Sequence, residues 1–155
     1  MTTALVLALF AATPAAAAPT AGDAQTFNHY AIKIPAGYVV KDVSPPMMDF
    51  DLYQLVDGKG TVKCGLYFGN APRFPIYGWG SKSPVDSGDA SRMKKAYQSS
   101  TRMEGVIEFS GLTYKGLPAT PFSKIHYFAD RLSADDVKAL SAMVDSIRVV
   151  EKDLK

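Results

Sequence analysis

Two histidines, one cysteine and a run of aromatics set among glycines are the residues of this chain whose types could do chemistry. Any hydrolytic mechanism built on a nucleophile, a histidine base and an orienting acid must use His29 or His126. No serine sits in a Gly-x-Ser-x-Gly elbow. Asp49 and Asp51 share one strand face and are the natural additions to a histidine metal site, but that spacing recurs in any strand. Both histidines fall on the less apolar face of their strands, the ordinary place for an exposed or half-buried imidazole. An enzyme pairing His29 or His126 with a carboxylate stays open as an alternative. Gly58-Lys59-Gly60 reads as turn chemistry rather than a phosphate cradle, so no catalytic residue, metal or cofactor is expected.

Cys64 lies in Val62, Cys64, Leu66 and Phe68, which alternate with Thr61, Lys63, Gly65 and Tyr67. That period places the thiol on the apolar face of a strand, where it behaves as a small hydrophobe. With a single cysteine, an internal disulfide is impossible.

The remaining candidate is Gly65 to Pro75 leading into Ile76-Tyr77-Gly78-Trp79-Gly80. Gly65, Tyr67 and Gly69 share a strand face, so Tyr67 stands between two positions without side chains. Two readings are open. The aromatic loop folds back over the glycines and closes the second sheet face, or Tyr67, Asn70, Arg73, Phe74, Tyr77 and Trp79 line a groove for a ligand or protein partner. In the second, Arg73 supplies a bidentate donor.

The elements that must position these groups are mostly strands. Tyr30, Ile32 and Ile34 oppose His29, Ala31 and Lys33 in a first strand closed by Pro35-Ala36-Gly37. Asp49 to Asp57 and Thr61 to Gly69 form a hairpin about Asp57-Gly58-Lys59-Gly60. Met103, Gly105, Ile107 and Phe109 alternate with Arg102, Glu104, Val106 and Glu108 in a fourth strand, and a short run around Thr113 and Tyr114 pairs with it across Ser110-Gly111. Lys124 to Phe128 is the last strand, with Ile125 and Tyr127 opposite Lys124, His126 and Phe128. Asn70 to Ser91 holds too many prolines and glycines for regular structure, and Ala90 to Tyr97 can hold a short helix.

The period then changes from two to about 3.6. Ser133 caps a helix, with Asp136 completing an acidic capping box and Leu132 and Val137 forming a staple. Val137, Leu140, Val144 and Ile147 make its apolar stripe, widened by Met143. The expected class is α+β, a mainly antiparallel sheet with a C-terminal helix on one face.

Residues 1–17 read as a signal peptide. An apolar run through Phe10 is too short to span a bilayer, and Ala15 and Ala17 supply the small side chains of a cleavage site. Residues 18–26 then read as a flexible start, 27–150 as one domain and 151–155 as a polar tail. The 155 residues less this leader leave about 138, enough for one core without staples. The net charge of +2 from 17 basic and 15 acidic residues gives no concentrated basic face for nucleic acid. Arg92, Lys94, Lys95 and Arg102 are the densest basic group and read as a solvated face. No segment after the leader has the length of a membrane span. The expected location is periplasmic or secreted.

Phe27-x-x-Tyr30-x-Ile32-x-Ile34-Pro35-x-Gly37-Tyr38 resembles the opening of PsbP-like and DcrB-like domains. The closing Ser133 to Arg148 helix, ending Val144-Asp145-Ser146-Ile147-Arg148, is similar to the helix that ends many of them. That superfamily includes photosystem accessory subunits, a Ran-binding import factor and bacterial envelope proteins. The resemblance implies a non-enzymatic binding or assembly role and carries over no functional residue. A purely structural or inhibitory module is the third reading.

Overall fold

The structure, a computed structural model, describes residues 22–112 and 123–150. In chain order the strands are β1 (Ala24–Phe27), β2 (Tyr30–Lys33), β3 (Tyr38–Asp42), β4 (Asp51–Asp57), β5 (Val62–Gly69), β6 (Val85–Gly88), β7 (Arg92–Gln98), β8 (Met103–Phe109) and β9 (Lys124–Ala129). Helix α1 (Ala134–Ser146) and strand β10 (Arg148–Val149) complete the order. A seven-stranded sheet runs β3-β4-β5-β9-β8-β7-β6, and a second sheet runs β1-β2-β10. Every pairing among the described residues is antiparallel, so the fold is α+β with its C-terminal helix on one sheet face, as the periodicities predict.

Between the large sheet on one side and α1 with the small sheet on the other lies the core. Leu55, Leu66, Phe68, Ile107 and Ile125 face it from the large sheet, Tyr30 and Ile32 from the small one, and Leu140 and Met143 from the helix. Cys64 is in this core, and burial pushes its thiol up to about 12, which keeps it protonated and unreactive.

Helix α1 spans about 20 Å and crosses most of the sheet, pinned at both ends. At its N-terminus Ser133 and Asp136 form the expected capping box. A bulge pairs Leu55 with Cys64 and Val56 with Val62, leaving Lys63 as the extra residue on its strand. Its ammonium reaches Asp136 at 3.1 Å, where the Tyr38 hydroxyl also donates. These bonds, that of Tyr38 foremost and those of Ser133 next, hold the Asp136 carboxyl well below the usual carboxylate range. The stability they confer is complete above the ordinary value of 3.8 and is lost as pH falls below it. Asp136→Ala should therefore cost about 2 kcal/mol in urea denaturation at neutral pH. Its deficit against wild type should shrink below roughly pH 4.

At the other end α1 has no basic residue in its last turn, and the sheet supplies the missing cations. Arg92 Nη2 donates to the Val144 carbonyl at 3.1 Å, and Lys94 Nζ to Asp145 at 2.9 Å. The basic group read as a solvated face is in this part a helix anchor.

Other expectations need correction. A helix within Ala90 to Tyr97 does not form; β7 is a strand because β8 offers it seven paired positions and α1 engages Arg92 and Lys94 from one face. The Asn70 to Ser91 segment is irregular only in part, since β6 lies inside it. This four-residue edge strand needs only the β7 backbone as partner, and Gly88, at φ 103°, lets the chain pass close to the Arg92 carbonyl. Residues 24–26, expected in a flexible start, belong to β1. The pairing expected at Thr113 and Tyr114 lies outside the described residues.

Candidate functional site

The second face of the large sheet, away from α1, carries the aromatic loop. Strand alternation turns Glu104 of β8 and His126 of β9 toward this face, and the register offsets them diagonally: Glu104 stands opposite Phe128, His126 opposite Val106. Glu104 is 0 % exposed and His126 3 %. A carboxylate this buried must be fully hydrogen-bonded.

Its partners come from the loop. Glu104 Oε1 accepts from the Ile76 N–H at 2.6 Å, and Oε2 from the Tyr77 N–H at 3.1 Å and from Trp79 Nε1–H at 2.9 Å. His126 Nε2 lies 3.0 Å from Oε1. Because an ionised carboxylate only accepts, Nε2 carries the proton. Four donors thus fill the roughly four lone-pair positions of the carboxylate. Burial pulls the His126 imidazole below its ordinary value and Glu104 raises it in part, so at neutral pH the ring is neutral.

Aromatic stacking completes the fastening. The Trp79 ring lies parallel to Tyr97, centroids 5.0 Å apart at 9°. Phe74 meets both Tyr97 and His126 at 5.7 Å. Arg102 covers Tyr77 at 4.8 Å and Trp79 at 5.7 Å, each within cation–π range. The Phe74-Pro75 peptide is cis.

Of the six residues singled out from the sequence, the fold brings Phe74, Tyr77 and Trp79 together around Glu104 and His126. The other three stand apart. Tyr67 lays its ring over Gly69 and against Phe50 at 5.2 Å. Asn70 accepts from the Ser123 N–H and hydroxyl, bracing the end of β5 against the start of β9. Arg73 is exposed. The glycine positions are filled from within: the Phe128 ring occupies the place a side chain at Gly65 would take.

Glu104 is the residue that sequence reading missed. Alternation put it on the same face as Arg102, Val106 and Glu108, where an acid reads as solvated; no local signal marks it as the anchor of a loop 25 to 28 residues earlier. His126 finds its carboxylate here, while Asp49 and Asp51 are on another strand and its lead-in.

Open grooves flank the pinned loop on the second face. One, of about 240 Å³, has Tyr77 and Phe128 as walls beside Leu52, Gln54 and Val62. Another, of about 290 Å³, lies between Phe74 and Pro72 on one side and Met93, Lys95, Val106 and Lys124 on the other. Among the described residues no group of three or more His, Cys, Asp or Glu could hold a metal ion, and no helix is long and apolar enough to cross a membrane. No family model, no curated protein and no solved structure matches the chain.

Proposed function

We propose that this chain is a small, exported, non-enzymatic binding or assembly domain of the bacterial envelope, working through the sheet face on which the aromatic loop is pinned. The observation that carries the reading is the filled Glu104 carboxylate. With its lone-pair positions taken by Ile76, Tyr77, Trp79 and His126, Glu104 has no oxygen open to a substrate, and His126, 3 % exposed between Phe74 and Phe128, is closed off from one. That argues against the alternative in which His126 and a carboxylate do catalysis. The same bonds hold Tyr77 in a fixed position, and a preformed wall lowers the ordering cost of binding.

The docking site in this reading is the groove between Tyr77 and Phe128, whose wall is held by the Glu104 bonds. Its apolar members Leu52, Val62 and Phe128 sit beside Gln54 and the charged Lys63, Asp130 and Arg131, apolar walls with a polar and charged rim. Export is supported by the opening apolar run and its Ala-x-Ala ending. The PsbP-like and DcrB-like resemblance at the two ends of the domain agrees with an accessory role.

The test is site-specific photo-crosslinking in cells. A crosslinker at Val62, which is 49 % exposed, should yield a discrete adduct that Lys138 on the outer side of α1 does not. Gln54→Arg should lower its yield roughly tenfold while the circular dichroism is unchanged. Equal adducts from both positions, or none lost on substitution, would overturn the reading. Sequencing the native N-terminus should begin at Ala18.

A further inference from the structure

We propose that the Glu104–His126 pair is an acid-sensitive pin that frees the aromatic loop when the surroundings acidify, so that the binding face exists in a pinned and a released form. The pin rests on the binding role proposed for this face and supplies its regulation.

The balance of donors and acceptors sets the device. At neutral pH four N–H groups meet about four acceptor positions on Glu104, and the set balances. One added proton unbalances it wherever it lands. On a Glu104 oxygen it turns an acceptor position into a donor and displaces one of the four. On His126 it puts a full charge on a ring that is 3 % exposed and flanked by Phe74 at 5.7 Å and Phe128 at 5.2 Å, a burial cost that Glu104 offsets only in part. A displaced buried donor or a buried charge is costly, and the least expensive relief is to let water in by lifting the loop. Glu104 and His126 sit on strands held by full ladders to their neighbours, whereas Ile76 to Trp79 belong to no regular element, so the loop is the part that yields.

Other titratable and charged groups face the pair from each element packed on it. They are Tyr97 and Lys95 of β7, Arg102 and Glu108 beside β8 and on it, Tyr67 of β5, Lys124 of β9, and Tyr77 of the loop with Asp130 beyond it. Arg102 stacks on Tyr77 and Trp79 rather than on the carboxylate, so its hold does not depend on the proton. Substitutions at the pair itself separate its titration from theirs.

Trp79 is the only tryptophan and donates directly to Glu104, so its fluorescence reports the pin without a label. Between roughly pH 7 and pH 4 its emission should shift to the red and its acrylamide quenching rise, while far-ultraviolet circular dichroism stays constant. Glu104→Gln should give the released emission at neutral pH with no further acid response. His126→Gln, which keeps an N–H donor but cannot titrate, should stay pinned at neutral pH and release only at lower pH than wild type. Emission that is flat with pH in folded wild-type protein, or an acid transition identical in wild type and both variants, would overturn the proposal. The measurement needs no partner: a working pin with no crosslink at Val62 would sink the binding role alone, and a crosslink with a flat emission would sink the pin alone.

Discussion

Glu104→Ala is expected to be among the most damaging single substitutions in the molecule, lowering stability by about 3 kcal/mol and the melting temperature by roughly 10 °C. Two costs combine. The methyl group leaves Ile76 N–H, Tyr77 N–H, Trp79 Nε1–H and His126 Nε2–H without their acceptor, and it opens a void beneath a loop whose aromatic rings rest on Tyr97 and His126. Part of this is recovered by the loop lifting into water, which is why the expected loss is less than four full hydrogen-bond penalties. Differential scanning calorimetry checks the size, and hydrogen exchange at Ile76 and Tyr77 checks the cause, since both amides should lose protection before the strands do. A loss below about 1 kcal/mol, with protection of the two amides unchanged, would mean that the stacking alone holds the loop.

The same pair sets a sign for acid stability. The His126 imidazole titrates below its ordinary value of 6.5 in the fold, so on acidification the unfolded chain takes the proton first. The contribution of neutral His126 is therefore complete above pH 6.5 and declines as pH falls from there toward the folded value. Calorimetry on His126→Gln should show a shallower fall over that interval.

Phe68→Ala is expected to cost about 4 kcal/mol. Phe68 is 0 % exposed and joins the two sheets. Its ring meets Tyr53 at 5.4 Å, Tyr30 at 5.9 Å and Phe27 at 6.4 Å, so it packs against β4, β2 and the end of β1 together. Tyr30 in turn packs on Phe109 of β8 at 5.0 Å, so removing Phe68 hollows out the contact through which the small sheet is fastened to the large one. Chemical denaturation should show a lower midpoint with little change in slope. Phe68→Leu, which refills most of the volume, should recover more than half of the loss.

Much of the frame is legible along the chain because its signals are local. Ser133, Asp136 and the 3.6 period from Val137 onward specify helix α1 without reference to anything distant, and its capping box forms as expected. Asp57-Gly58-Lys59-Gly60 fixes the hairpin of β4 and β5, with Asp57 Oδ1 accepting from the Lys59 and Thr61 amides. The alternation around Cys64 places the thiol inside, where it lies. Shorter pieces escape such reading. Strand β10 has two residues, and the four of β6, Val85-Asp86-Ser87-Gly88, are all exposed and carry no apolar alternation; both exist because a neighbouring backbone is there to pair with.

By itself, then, the sequence determined the α+β class, the helix and its cap, the main hairpin and the buried thiol, because each depends on residues within a few positions of one another. Which side chains meet on the second face was decided only by the tertiary structure. Glu104 alternates with apolar residues just as a solvated acid does; its burial depends on β8 lying beside β9, on His126 arriving from 22 positions away, and on a loop from 25 to 28 positions earlier delivering three N–H groups. A carboxylate is stable in such a place only when all of those donors arrive together, and no local pattern encodes their arrival.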